Sequence, residues 1–471
     1  MFEEIDVVSP IDGNSIGTVR RHSAEDAHAA LMRARTGSTT WAAMTPSERG
    51  RVLVEAGRRL REQSAEFAAI DTINAGRSPQ DSLRSTLRAA DCLEYYGGFA
   101  DKVTGETIPV RGEFHTYTSR EPYGVVVGIV PWNNPLFFAT KKLAPALAFG
   151  NAIVLKPAEE TPLSALRIVD LLRQCGLPDG VADVMVGGAD VGAALTSDEN
   201  TDLIVFTGSS ATGRSVARAA ADRLIPVCLE LGGKSAQLVF DDCDFDRAIE
   251  GVISGAFASC GQMCIAGSRV FVQRRIAHKF ITTLSDRVNS LVSGDPRQDG
   301  VNIGPQVTET QRSKTVRLIE SGIKDGASVL ARGSIDSRSA GSRGFYVAPI
   351  VFGDTDLSMA IVREEVFGPV ACVATFDTED DAIRMARETE FGLAAGVWTE
   401  SVGRAHRMAS RLPVGNVWIN SYRTLLDNVP FGGVGMSGYG REGGSAAAEL
   451  YTRVKSVWTS TARGMEGVQI L

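Results

Sequence analysis

From Val125 onward the chain alternates short apolar runs with amphipathic stretches. Val125-Val-Val-Gly-Ile-Val130, Ala152-Ile-Val-Leu155, Val184-Met-Val186 and Leu203-Ile-Val-Phe206 are continuous apolar runs of strand length. They lack the in-and-out alternation of a strand with one wet face. Phe138 to Ala148, Pro162 to Cys175 and Thr212 to Arg223 read as helices, the first two followed by Gly150 and Gly176. Strands buried on both faces and joined by helices imply a parallel sheet with helices packed on each side. Ligands of such a sheet bind at the carboxyl ends of its strands, so the turns that follow the strands are where chemistry belongs.

A second α/β unit follows Glu230. Val239-Phe240, Arg269–Val272 and Val370–Ala374 read as its strands, and Phe280–Val292, Gln311–Ser321 and Glu379–Glu388 as helices. The stretch Arg332–Arg343 is polar and rich in Gly and Ser, as a surface loop is. Ahead of the alternating region, the first 20 or so residues read as extended with a turn at Pro10-Ile-Asp-Gly13. Ser23-Ala-Glu-Asp26 and Thr45-Pro-Ser-Glu48 are capping boxes that open helices. Helical spacing runs from Arg49 to Ala69 and again from Ser82 to Phe99, with a break at Gly76-Arg-Ser-Pro79. Residues 101–122 alternate like a solvent-facing hairpin, whose edges call for cover by a partner subunit.

Composition excludes several classes. The 471 residues are enough for two or three domains, and 44% hydrophobic with 22% charged residues is a globular balance. A net charge of −7 leaves no basic excess for nucleic acid or an anionic membrane. The amino-terminal residues carry no signal-peptide pattern, and no apolar stretch reaches the ~18 residues of a membrane span. Seven scattered cysteines read as reduced thiols, which points to the cytoplasm. No histidine or second cysteine pair stands at zinc spacing, so no metal is expected.

Several stretches carry chemistry. Cys260-Gly-Gln-Met-Cys264 sits among small and polar residues, as a reactive thiol needs, although a cysteine of this kind taken alone is more often structural. Pro131-Trp-Asn-Asn-Pro135 follows a strand and aims Asn133 at the crevice, either to polarise a carbonyl oxygen or as a plain turn residue. Lys156-Pro-Ala-Glu159 offers a carboxylate for ribose hydroxyls or a capped junction. Gly208-Ser209 through Gly213 is a strand-to-helix turn suited to pyrophosphate, without the usual glycine fingerprint. Glu230, followed by Gly232-Gly233, is a general base or a buried ion-pair residue, and Glu364-Glu-Val-Phe-Gly-Pro369 places a carboxylate and an aromatic before a sharp turn.

Together these motifs resemble the aldehyde dehydrogenase superfamily over nearly the full chain. Glu-Leu-Gly-Gly-Lys at 230–234, Gly-Gln-Met-Cys at 261–264 and Pro-Phe-Gly-Gly at 430–433 match its patterns in order and separation. The resemblance implies an α/β fold of two open parallel-sheet domains with a β-flap for oligomerisation. The Rossmann-type NAD-binding domain would span 1–100 and 123–232, the catalytic domain 233–443, and the flap 101–122 and 444–462. It implies Cys264 as nucleophile, Asn133 with the backbone N–H of Cys264 as oxyanion donors, and Glu230 as the base that activates water for thioester hydrolysis. Lys156 and Glu159 match the adenine-ribose clamp, and the Glu159 carboxylate would oppose a 2′-phosphate, favouring NAD over NADP. Gly208, Ser209 and Gly213 match the pyrophosphate turn. Glu365 and Phe367 match the residues at the nicotinamide ribose and ring, with Trp132 on the same cofactor side. Cys260 matches no family role and is structural or a resolving thiol.

The expected reaction is NAD-dependent oxidation of a small-molecule aldehyde to an acid by a homodimer or homotetramer. A CoA-acylating reaction is disfavoured because that branch generally lacks the glutamate matched by Glu230, and a non-enzymatic role is disfavoured by the intact Cys264, Glu230 and Asn133. The alternative substrate is a carboxylated aldehyde such as succinate semialdehyde. The semialdehyde branch places an arginine where this chain has Lys141, and Arg423 lies in a late channel loop. The competing expectation is that Lys141 and Arg423 point outward or pair with acidic neighbours.

Overall fold

The computed structural model describes residues 3–462. Two open sheets organise it. The first has six strands in the order Gly438–Tyr439, Val227–Glu230, Leu203–Thr207, Val125–Ile129, Ala152–Lys156 and Ala182–Val184. All neighbours run parallel except the Gly438–Tyr439 edge. Val125, Val126, Val127, Ala152, Ile153, Leu203 and Ile204 are all fully buried, which is why these strands read as unbroken apolar runs. The strand order reverses between Val125–Ile129 and Leu203–Thr207, and a crevice opens there at the carboxyl ends.

The second sheet has seven strands, in the order Ser328–Arg332, Ile350–Gly353, Val370–Phe376, Arg269–Gln273, Ala236–Val239, Ala394–Trp398 and Asn416–Ile419. Only the Ser328–Arg332 edge is antiparallel. Val239, Val270 and Val272 face one core and Leu238, Phe240 and Phe271 the other, so both faces are covered.

Local signals placed most helices. Ser23 and Thr45 each form a reciprocal capping box, with Asp26 and Glu48, at the heads of Ala24–Ala43 and Pro46–Glu62. The helical run expected over 49–69 is two helices, Pro46–Glu62 and Ser64–Ala75. They break at Gln63, whose φ of −95° and ψ of 16° leave the helical basin. The expected strand at 184–186 lies earlier, at Ala182–Val184, because Leu155 pairs with Val184. Helices Ala189–Ser197 and Phe245–Phe257 escaped the sequence reading.

The projecting ribbon also differs from expectation. Residues 101–122 do not form a two-stranded hairpin of their own. Phe114–Pro122 pairs along its whole length with Thr452–Ser460, from Pro122↔Thr452 to Phe114↔Ser460. Residues 106–108 pair with that strand only over a short length, through the bridge Thr107↔Tyr117 flanked by bonds from Thr118 N–H to the Glu106 carbonyl and from Ile108 N–H to the Thr116 carbonyl. The helix Ala446–Tyr451, expected in the flap, buries Ala447 and Tyr451 in the core of the first sheet.

Candidate active site

The chain leaves the helix Phe245–Phe257 through a single left-handed turn: φ is 50° at Ser259, 58° at Cys260 and 67° at Gly261. Two non-glycine residues in this basin each cost about 1–3 kcal/mol, so the surroundings must hold them there. Gly261 has no alternative, because a Cβ would stand 2.1 Å from the Gly368 carbonyl oxygen. The turn delivers Cys264 against the other sheet, where a Cβ on Gly233 would come within 2.4 Å of the Cys264 carbonyl oxygen. Cys260 is sequestered: it is buried, and its Sγ takes a hydrogen bond from Gln306 Nε2 at 3.1 Å. The two cysteines of the motif therefore have different surroundings, and only Cys264 meets open space.

Asn133 follows the strand Val125–Ile129 and is buried. Its Nδ2 donates to the Gln262 carbonyl at 2.7 Å, two residues before Cys264, and its backbone carbonyl accepts from Arg77 Nη1 at 3.0 Å. One Nδ2 hydrogen remains for another acceptor. Gln262 is itself fixed, its Oε1 accepting from Val307 N–H at 2.8 Å. Asn133 and Cys264 both line two adjoining cavities.

The first cavity, ≈ 700 Å³, is bordered by Trp132, Gly208, Ser209, Glu230, Glu365 and Phe367 as well. Glu230 ends its strand there, and both carboxylate oxygens are buried with no hydrogen-bond partner among the described residues. Burial, reinforced by the Glu442 charge, raises its pKa well above the usual carboxylate range. Lys141 and Lys142 oppose that shift. Glu442 is bonded to Lys142 Nζ, which also donates to Thr207 Oγ1 at 2.8 Å. Burial first, then Glu365 and Glu230, push the Cys264 thiol up to about 12, with Lys141 acting against them. Cys264 therefore rests as a neutral thiol beside a reluctant acid.

Ser209 caps the helix Ser210–Arg223, its side chain accepting from Thr212 N–H at 3.2 Å. Gly208 and Ser209 border the cavity, but Gly213 does not. Gly213 lies on the buried face of that helix, where a Cβ would sit 2.5 Å from Leu231 Cδ2, so the structure gives it a packing position in place of the expected turn. Phe367 adopts φ 54° and meets Trp132 edge to face, with ring centroids 5.3 Å apart. Glu365 Oε1 accepts from Gly233 N–H at 2.9 Å, and burial raises its carboxyl to about 7.

Lys156 and Glu159 stand outside both cavities, at the end of the neighbouring strand Ala152–Lys156. Lys156 Nζ donates to the Pro157 carbonyl at 3.2 Å. Gly188 lies beside the Glu159 carboxylate, where a Cβ would stand 3.4 Å from Oε2. An elongated dinucleotide fits this layout. An acidic residue after Ala152–Lys156, a helix amino terminus after Leu203–Thr207 two strands away, and an aromatic-walled cavity beside Cys264 lie along the carboxyl ends of the sheet.

The second cavity, ≈ 730 Å³, is walled by Phe137, Lys141, Arg423 and Phe431 and floored by Cys264. Lys141 does not point outward: its Nζ lies 4.7 Å from the Phe431 ring centroid and 3.8 Å from Glu442 Oε2. Arg423, at φ 64°, donates from Nη1 to the Ser254 carbonyl at 3.0 Å and to its Oγ at 2.8 Å. Arg77 and Arg88, more than 170 positions before Cys264, also reach this cavity, and nothing in their local sequence marks them. Glu442 and Lys142 were likewise missed, being ordinary charges in a loop and a helix.

Residues 2–457 match the aldehyde dehydrogenase family, and the chain belongs to that family. It is an enzyme that oxidises aldehydes with NAD as cofactor. It is 43% identical over 455 residues to a betaine aldehyde dehydrogenase of Cereibacter sphaeroides, covering 96% of this chain and 93% of that one. Among solved structures, PnpE from Pseudomonas sp. WBC-3 superposes with a TM-score of 0.95 at 40% identity, over 98% of this chain and 95% of that one. Betaine aldehyde dehydrogenase of Staphylococcus aureus in complex with NAD+ gives a TM-score of 0.96 at 34% identity, over 98% and 93%. These names do not favour succinate semialdehyde as the substrate. No helix among the described residues is long and apolar enough to cross a membrane.

Proposed function

We propose that Cys264 is the nucleophile, that Asn133 and the Cys264 backbone N–H hold the oxyanion, and that Glu230 is the base for hydrolysis. The observation that carries this reading is the shared wall: among the described residues, Asn133, Phe138 and Cys264 border both cavities, and of the three only Asn133 and Cys264 offer polar or nucleophilic groups. The Cys264 thiol gives up its proton to solvent as its sulfur attacks the aldehyde carbon, and the carbonyl oxygen, now an oxyanion, moves toward the free hydrogen of Asn133 Nδ2. Bound NAD, held on the Trp132, Glu365 and Phe367 side, would supply the hydride acceptor for that carbon. A thioester on Cys264 remains. Glu230, unpartnered and raised in pKa, takes a proton from water as the water attacks the thioester, releasing the acid and the thiol. Quenching the enzyme during turnover and mapping the peptide by mass spectrometry is expected to place an acyl mass on Cys264, and an adduct on Cys260 instead would overturn the assignment.

Lys156 and Glu159 are assigned to the adenine ribose, with Gly208 and Ser209 at the pyrophosphate and Trp132, Glu365 and Phe367 at the nicotinamide end. Glu159→Ser is expected to reduce the NAD-over-NADP ratio of kcat/KM by about 10- to 100-fold, since one charge-assisted contact and one repulsion are removed. An unchanged ratio would remove Glu159 from the ribose site. Residues 1–100 and 123–232 are taken as the cofactor domain and 233–443 as the catalytic domain. The exposed Val454 and Trp458 of the ribbon support a dimer or tetramer formed through it. The seven cysteines, all free, support a cytoplasmic setting. The relatives' names bring betaine aldehyde in as a candidate substrate.

A further inference from the structure

Buried polar side chains that the reaction above does not use gather around the turn that carries Asn133. Asp71 and Asn74 lie on the helix Ser64–Ala75, and both are buried. Neither Asp71 carboxylate oxygen has a hydrogen-bond partner among the described residues, and neither does Ser164 Oγ or Arg77 Nε. Burial raises the Asp71 carboxyl to about 6, against the Ser164 hydroxyl, the Arg77 charge and the Leu136 N–H that face it, so it is ionised at neutral pH. An ionised carboxylate this deep is costly unless a cation stands near, and Arg77 is that cation.

Arg77 is aimed by the residue before it. Gly76 ends the helix at φ 65° and ψ 23°, and a Cβ there would stand 2.6 Å from Pro305 Cγ, so glycine is required. From this turn Arg77 Nη1 donates to the Asn133 carbonyl at 3.0 Å. The residues on either side of Asn133 are gripped as well. Thr161 Oγ1 donates to the Trp132 carbonyl at 3.2 Å, and Ser85 Oγ to Asn134 Oδ1 at 2.6 Å. Asn74 Nδ2 donates to the Glu160 carbonyl at 2.8 Å, which ties the Asp71 helix to the segment carrying Thr161. Of these three grips on the turn, the one on Asn133 comes from a cation with a buried carboxylate facing it. Asp81, the other carboxylate whose charge reaches Arg77, is paired with Arg84 at 2.9 Å.

We propose that Asp71 and Arg77 are positioning residues for the oxyanion donor: the Asp71 carboxylate steadies the Arg77 guanidinium, and the guanidinium fixes the backbone from which the Asn133 amide projects. The proposal rests on the assignment of Asn133 as that donor. Asp71 borders neither cavity, and the Arg77 bond is to the Asn133 backbone, so both act through Asn133. Displacing a reacting or stabilising group by ~1 Å costs about 100-fold in rate, which gives a distant carboxylate a measurable hold on the chemistry.

Acylation of Cys264 by nitrophenyl acetate tests this, because it needs the oxyanion donor but no hydride acceptor. The ester is neutral, so the charge of the cavity that Arg77 borders is not read. Rapid mixing measures the nitrophenolate released. Asn133→Ala is expected to slow acylation about 100- to 1,000-fold. Arg77→Met should slow it about 10- to 100-fold and Asp71→Asn about 10-fold, in the maximal rate, with KM within about threefold. Arg77→Lys, which keeps a donor and the charge, should recover part of the loss. In the Asn133→Ala background the same substitutions should cost less than about threefold, since the group through which they act is gone. An equal loss in both backgrounds overturns the proposal, because general loosening of the fold behaves that way. Wild-type acylation by the Asp71 and Arg77 variants, with Asn133→Ala slow, overturns it too and leaves the Asn133 assignment standing. Acylation untouched by Asn133→Ala sinks that assignment and the positioning role with it. NAD affinity within about twofold of the wild type shows that a variant is folded. Should Asp71→Asn fail to fold, the Arg77→Met cycle decides alone.

Discussion

Cys264→Ala is expected to reduce aldehyde oxidation on the order of 10,000-fold or more while leaving NAD affinity within about twofold, since the covalent route disappears and the cofactor contacts do not. The size of the effect follows from the site. Among the groups that meet both cavities, the thiol is the one nucleophile. Cys260 cannot stand in for it, being buried and hydrogen-bonded to Gln306. Turnover together with a cofactor titration on the same preparation measures both quantities. Residual turnover near the wild-type level would remove Cys264 from the mechanism, and a parallel loss of NAD binding would make the substitution structural.

Glu230→Gln is expected to separate the two halves of the reaction. Loss of a general base costs about 100- to 10,000-fold in the step it serves. The steady state should therefore fall by that order while a rapid burst of NADH persists, and a burst that falls with the steady rate would show that Glu230 does not chiefly serve hydrolysis. The same substitution has a stability signature. Burial and Glu442 raise the carboxyl's pKa in the fold above its unfolded value, so the protonated form is the one the fold prefers. That contribution is complete below the unfolded pKa and is lost as pH rises through the folded one. The glutamine variant, which cannot ionise, is expected to gain in Tm over the wild type as pH is raised from 5 to 9. A Tm difference independent of pH would mean that Glu230 is not held against ionisation.

The parallel strands were legible because burial on both faces leaves an unmistakable mark: Val125–Ile129 and Leu203–Thr207 contain scarcely a polar side chain. Their ends were less so, since a strand stops where its neighbour stops pairing, and Val184 closes its strand opposite Leu155 for that reason. The helix Ala446–Tyr451 was assigned to the ribbon because six residues carry too little periodicity to show a buried face. At the site, the residues on turns after strands were legible as a set. Gly213 packs against Leu231 on its helix, a placement that sequence alone does not give, because it cannot say which way a helical glycine faces. Arg77, Arg88 and Glu442 were illegible: each is a common charge in unremarkable surroundings, and only the fold carries them to one cavity or to the base beside it.

The wall formed by Asn133 and Cys264 also governs traffic. On the proposed assignment, dinucleotide and aldehyde each have a chamber of their own and meet where Asn133, Phe138 and Cys264 border both, so neither has to vacate for the other to arrive. On that assignment the acid can depart from the side on which its aldehyde came while the reduced cofactor still occupies the other chamber. Such an arrangement leaves the order of release to the relative grip of the two chambers, and substitutions in one can change the tempo of the whole cycle without touching the other.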